Sequence, residues 1–224
     1  MNEKIQVLGL TIHNLTAKDA MKCVMSHLET EPLSVAQMVT MHTLGAFQQD
    51  DTASEVFESF DLALAGDKGI LQAAGVTEER RLREAEELLF VKMVMRFLHK
   101  NSIRVFLLAE SEADMQKLET YMREDYANIE VTQKATMETQ GASDDMLLNL
   151  MNGAEAECIL SALPSPLEEQ FIFRNKALVN AHLWFGFGNL LDEMRKHKTG
   201  FGKVKEFILR QLLKKEIEKK GKNA

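Results

Sequence analysis

Two short stretches carry the side chains best placed to do chemistry. In VAQMVTMHT an apolar run from Val35 ends on Thr40, with His42 just beyond, and in DLALAGDKG a second run ends on Gly66-Asp67-Lys68-Gly69. A carboxylate at the end of a strand can take the proton of an attacking hydroxyl. A neighbouring hydroxyl or imidazole can hydrogen-bond a substrate, and an ammonium can pair with a phosphate. In open α/β sheets ligands bind outside the carboxyl ends of the strands, so two such runs on neighbouring strands could turn Thr40, His42 and Asp67 toward one cleft. Each residue also has a plainer reading. Asp67 can simply cap a helix, His42 can be a surface or capping histidine, and Lys68 can neutralise Asp67.

Those groups need a scaffold, and the chain supplies a run of alternating strands and helices. Ile5 to Ile12 is β-rich, and Thr16 with Asp19 three residues on opens a helix whose apolar face holds Ala20, Cys23, Val24 and Leu28. Thr52 and Glu55 form a second capping signal, and EERRLREAEELLFVKMVMRFLHK reads as about twenty residues of helical period. Ser102 to Ala109 is a buried strand, Ser111 with Asp114 caps the next helix, and Ile129 to Thr132 is a short strand. A helix follows from Asp144 to Met151, then a strand from Cys158 to Leu163. Pro164-Ser165-Pro166 turns into a helix carrying Phe171, Ile172 and Leu178, and Ala181 to Gly186 is the last strand. This alternation predicts an α/β fold, a Rossmann-like parallel sheet with helices on both faces.

Composition narrows the class further. At 224 residues, 45% hydrophobic and 27% charged, the chain matches an ordinary globular protein, and three prolines leave little room for a linker. The net charge of −7 divides into +5 over residues 199–224, from eight Lys/Arg against three Glu, and −12 over the remainder. An acidic body argues against nucleic-acid binding by the main domain. Cys23 and Cys158, the two cysteines, sit in apolar runs as small hydrophobes without metal or disulfide spacing. MNEKIQVLGLTIHN has no apolar stretch of signal-peptide length, and no 18-residue apolar run occurs, so a cytoplasmic protein is expected. The organisation expected is a domain over 1–198 and an appendage over 199–224, an amphipathic basic helix with Val204, Phe207, Ile208, Leu212 and Leu213 on one stripe. That stripe, within 203–220, fits either a protein surface, on this domain or another subunit, or an anionic membrane.

In the order and spacing of its motifs the chain resembles the WecG/TagA/CpsF family of bacterial glycosyltransferases (glycosyltransferase family 26), from about Lys4 to Lys196. The stretches that carry the likeness are KIQVLGLTIHNLTAKDA, MVTMHTLGAF, DLALAGDKGIL, SIRVFLLAESEADMQKLETYM, ALPSPLEEQFIFRNK and WFGFGNLLDEM. The resemblance implies transfer of an N-acetylmannosamine-type sugar from a UDP donor to a polyprenol-pyrophosphate-linked acceptor, without metal or other cofactor. By position it implies Asp67 as general base, Thr40 as its brace or a substrate contact, and His42, Lys68, Pro166, Glu169 and Asp192 on the substrate side. It also implies a cell-surface polysaccharide or teichoic-acid-like pathway and a place at the inner membrane face.

The chain departs from the family pattern at several points. His42 replaces an Asn, Lys68 a Gly beside the proposed base, Glu168 a Gln, and Ala109-Glu110 a pair of glycines. A glutamate there repels a pyrophosphate where glycine would let backbone approach it. Two classes of function therefore stand: an active transferase of altered donor preference, and a non-catalytic relative acting as a binding or assembly partner. Glu168 and Glu169 are expected on the first turn of a helix, where the dipole favours carboxylates. Trp184 reads as core, and His13, His27, His99, His182 and His197 show no ligand spacing.

Overall fold

The computed structural model describes residues 4–48, 52–138 and 143–191, and within them the strands join in one eight-stranded sheet. The strands are β1 (Lys4–Val7), β2 (Leu10–His13), β3 (Ser34–Val39), β4 (Leu62–Ala65), β5 (Arg104–Ala109), β6 (Glu130–Thr136), β7 (Cys158–Ala162) and β8 (Leu183–Gly186). Across the sheet they lie in the order β1-β2-β4-β3-β8-β7-β5-β6. Every neighbouring pair is parallel except β1 and β2. The single β-rich run expected from Ile5 to Ile12 is thus a hairpin. Its two turn residues, Leu8 and Gly9, have φ of 50° and 88°, the positive values that a two-residue turn of matching twist requires.

Period-two alternation sorts the strand side chains onto two faces. Ala36, Met38, Leu62, Leu64, Val105, Leu107, Cys158, Leu160, Leu183 and Phe185 pack with α1 (Ala17–His27), α6 (Leu89–Asn101) and α7 (Glu112–Asp125). Val35, Val39, Ala63, Phe106, Leu108, Ile159 and Trp184 pack on the other side with α2 (Met41–Ala46), α3 (Ala53–Glu58), α8 (Asp144–Gly153) and α9 (Leu167–Asn175). Trp184 belongs to the core, as its neighbours in sequence suggest. The near-continuous apolar strands follow from this double coverage, since both faces of a parallel sheet are buried.

Three local features differ from the sequence reading. The long helical pattern is two helices, α5 (Glu79–Glu86) and α6, broken at Leu88, which sits at φ 52° with no glycine or proline to announce it. The break lets the charged α5 lie beside α4 (Lys68–Ala73) while α6 turns Val91, Val94 and Met95 onto the sheet. Thr52 precedes α3 without a side-chain cap bond, and Leu178 lies in a 3-10 turn after α9, 59% exposed. The signals at Thr16 and Ser111 do cap their helices, accepting from the Asp19 and Asp114 amides. Asp192 and the 199–224 segment lie outside the described residues.

Candidate functional site at the carboxyl edge of the sheet

β3 and β4 run side by side in parallel, so their ends bring the two chemical stretches together. Gly66 approaches the end of β3 closely: its amide donates to the Val39 carbonyl at 2.7 Å. A Cβ on Gly66 would stand 3.0 Å from that oxygen and 3.2 Å from Thr40 Cγ2. Asp67 follows at once as the N-cap of α4, its Oδ1 accepting from the amides of Gly69 at 2.6 Å and Ile70 at 3.2 Å. The capping geometry fixes the half-buried carboxyl at the sheet's carboxyl edge. Lys68 turns to an ion pair with Glu86 of α5. His42 is exposed on the first turn of α2.

Thr40 has a different place from the one its position at a strand end suggests. It is wholly buried and caps α2 in a reciprocal box with Thr43, whose amide donates to Thr40 Oγ1 at 3.3 Å. Thr43 Oγ1 lies 2.9 Å from Ser165 Oγ, and Ser165 Oγ donates to Glu169 Oε1 at 2.7 Å. Gln37, a lone polar residue in the middle of β3, donates from Nε2 to Glu168 Oε2 at 2.8 Å and lies 3.5 Å from Glu169 Oε1. Glu168 also accepts from Trp184 Nε1 at 3.0 Å and from the Gly188 amide at 3.2 Å. One chain of hydrogen bonds thus runs from the end of β3, through the turn before α9, to the loop after β8.

The two glutamates do occupy the first turn of α9, but both are fully buried instead of facing solvent. Burial pushes the Glu168 carboxyl up to about 8, with the Glu169 charge adding to it and the Gln37, Ser161 and Trp184 donors opposing it. Burial raises Glu169 as well. Glu169 Oε2 and Gln37 Oε1 are buried without a hydrogen-bond partner. Gly186 leaves the room this cluster needs, since a Cβ there would fall 1.8 Å from Gln37 Oε1. Pro166, which follows a cis bond from Ser165, stands half-buried at the start of α9.

The helices after adjacent strands β5 and β7 lie on opposite faces, α7 on one and α9 on the other, which opens a crevice between the strand ends. A cavity of about 150 Å³ occupies it, lined by Glu110, Asp114, Lys117, Pro164, Gly188 and Asn189 among others. Ligand sites run to roughly 300–1,000 Å³, so a nucleotide sugar seated here would extend over the surface beyond it. Burial works against the Asp114 carboxylate, yet the Lys117 ammonium at 2.6 Å and the Ser111 hydroxyl outweigh it and hold its pKa below the usual range. Among the described residues no cluster of three His, Cys, Asp or Glu could hold a metal ion, and no helix is long and apolar enough to cross a membrane.

The sequence reading passed over Gln37, Thr43 and Ser165. The available signal was Gln37 itself, a primary amide inside a strand buried on both faces, which must find partners. The architecture defines a Rossmann-like α/β domain with a crevice at the carboxyl edge of its sheet. The family model described as "Glycosyl transferase WecG/TagA/CpsF family" matches residues 5–199, and the chain belongs to that family. Membership implies glycosyltransferase-type function in cell-surface polysaccharide synthesis, between a sugar donor and an acceptor. No curated protein matches the chain.

Proposed function

We propose that this protein moves an N-acetylmannosamine-type sugar from a UDP donor to a polyprenol-pyrophosphate-linked acceptor, with Asp67 as general base. The observation that carries the reading is the position of Asp67: a carboxyl held by two backbone amides at the end of β4, directly beside the end of β3. In this reaction the Asp67 carboxylate takes the proton of an acceptor hydroxyl. The hydroxyl oxygen bonds the anomeric carbon of the sugar, the bond from that carbon to the diphosphate breaks, and UDP leaves with its electron pair. Thr40 acts as a brace, since its methyl group packs where Gly66 leads into Asp67. Lys68, paired with Glu86, supplies the ammonium that would meet a phosphate of the donor. His42 is an exposed group for acceptor or donor contact, and Pro166 and Glu169 shape the turn bordering the crevice. We assign Asp192 to the substrate side as well. The basic stretch 203–220 would hold the protein at an anionic inner membrane face, where such an acceptor resides.

One observation favours the second reading, a binding relative without catalysis. Glu110 stands on the cavity wall and Asp114 beside it, with Lys117 the cation between α7 and the crevice. That balance opposes a diphosphate. Titration calorimetry of UDP and UDP-N-acetylmannosamine against the metal-free protein separates the two. The transferase reading expects micromolar binding; no heat up to millimolar ligand would overturn it and leave the binding relative.

A further inference from the structure

The Glu168–Glu169 pair lies directly behind the two walls of the crevice cavity. Glu169 holds Ser165, whose neighbour Pro164 lines one wall, and the Ser165 amide donates to Oδ1 of Asn189, another lining residue, at 3.3 Å. Glu168 holds the amide of Gly188, which lines the other wall. Gln37 ties the carboxyls to each other from β3. The walls of the cavity are therefore fixed relative to one another through two adjacent buried acids.

We propose that Glu168 and Glu169 form a one-proton positioning device for this cavity: with one proton on the pair the walls are held in register for ligand, and loss of that proton releases them. The hydrogen bonds show where the proton sits. Glu168 takes three N–H donors on its two oxygens, the arrangement of a carboxylate. Glu169 takes the Ser165 hydroxyl and the long Gln37 contact on Oε1, and its Oε2 has no donor at all. A proton on Oε2 removes the cost of an unsolvated anionic oxygen. Gln37 Oε1, also unpartnered, is an acceptor on the side chain that already reaches Glu169. Two like charges buried side by side cannot both persist cheaply.

The surroundings make the device self-contained. Gln37 faces the pair from β3, Ser161 from β7, Trp184 and the Gly188 amide from β8 and its loop, and Ser165 from the turn before α9. Among the described residues, the one titratable group whose charge acts on Glu168 is Glu169. Burial raises both carboxyls, Glu168 to about 8, so the pair's last proton should leave in that region.

The only tryptophan of the chain donates to Glu168 and reports the event. The test follows Trp184 fluorescence from pH 6 to 10, together with hydrogen exchange at the Gly188 and Asn189 amides, corrected for intrinsic base catalysis. A single transition near pH 8 is expected in both, and Glu169→Gln, which mimics the protonated carboxyl but cannot ionise, should flatten both while remaining folded. Ser165→Ala, which removes one donor from Glu169, should move the midpoint upward. A transition that survives in Glu169→Gln at the same midpoint, or wall amides that stay protected while Trp184 titrates, would overturn the device. The choice of ligand rests on the transferase reading. With UDP, wild-type affinity should fall about tenfold between pH 7 and pH 9, as the competent fraction shrinks, and Glu169→Gln should lose that slope. UDP binding with no pH slope in the wild type would overturn the gating. Absence of UDP binding at every pH, beside an intact fluorescence transition lost in Glu169→Gln, would overturn the transferase reading and leave the device standing.

Discussion

Replacing Gly186 by alanine tests whether the buried carboxyl cluster is as tight as its geometry implies. The added methyl would fall 1.8 Å from Gln37 Oε1, 2.7 Å from Gln37 Cδ and 2.7 Å from Glu168 Oε1. A long flexible side chain could swing away, but Gln37 is 1% exposed in a central strand and bonded to Glu168 at 2.8 Å. Overpacking a filled interior costs about 1–3 kcal/mol. Losing a hydrogen bond to a charged buried group adds about 1.5–3 kcal/mol. The expected loss is therefore about 3–5 kcal/mol, a large part of the roughly 5–15 kcal/mol that holds a domain folded. With a urea slope of about 3 kcal/mol/M, the unfolding midpoint should drop by about 1–2 M. Gln37→Ala in the Gly186→Ala background removes the clashing amide, so the double variant should lose less than the sum of the single ones by about 1–3 kcal/mol. A midpoint unchanged in Gly186→Ala, or simple additivity of the two changes, would refute the packing argument.

Other expectations concern pH and reactivity. His13 closes β2 against β4, its Nδ1 accepting the Ala63 amide at 3.1 Å; burial and the Lys4 charge lower its pKa from 6.5. The unfolded chain then binds the proton more readily, so stability should fall as pH drops below about 6.5, and His13→Gln should reduce that slope in urea titrations. The Glu168–Glu169 pair has the opposite sense. Burial raises both carboxyls, Glu168 to about 8, so the contribution of the shared proton is fullest below 4.5 and is lost as pH rises toward about 8. Glu169→Gln should flatten that dependence in urea titrations. Burial, with the Glu157 charge, raises the Cys158 thiol pKa, and the side chain is fully buried, so a thiol reagent should modify half-buried Cys23 first and Cys158 only on unfolding. At Asp67, asparagine caps a helix about as well as aspartate, whereas Asp67→Ala should cost about 1 kcal/mol in thermal or urea unfolding.

The sequence made the sheet legible because both faces of most strands are buried, and runs such as SIRVFLLA and CILSAL advertise that directly. Thr16 and Ser111 announced their helices because a cap is a local bond between residues three apart. The break at Leu88 was hidden, since what forces it is the different packing of α5 and α6, and nothing within the segment encodes it. The hairpin at Leu8-Gly9 lay within one β-rich run because its turn is only two residues long. At the site, Asp67 was readable from its place after a strand and before Gly69. The Glu168–Glu169 arrangement was not, because the first turn of a helix is ordinarily where carboxylates meet water. Their burial depends on Gln37, 131 positions away from Glu168 in the chain, and on the missing side chain of Gly186. Thr40 illustrates the same limit: a polar residue ending a strand can be consumed by the next helix's cap.

Sugar transfer by this protein stands most directly on Asp67 as its base. The deciding measurement is the rate of UDP release by wild type and Asp67→Asn, with UDP-N-acetylmannosamine as donor and a polyprenol-pyrophosphate-linked sugar as acceptor, alongside calorimetry of donor binding. The wild type should turn over, and Asp67→Asn should lose about 10²–10⁴-fold with the fold and donor affinity kept. Equal turnover in the two proteins would remove Asp67 from the chemistry, and no turnover by the wild type despite bound donor would contradict the transferase itself.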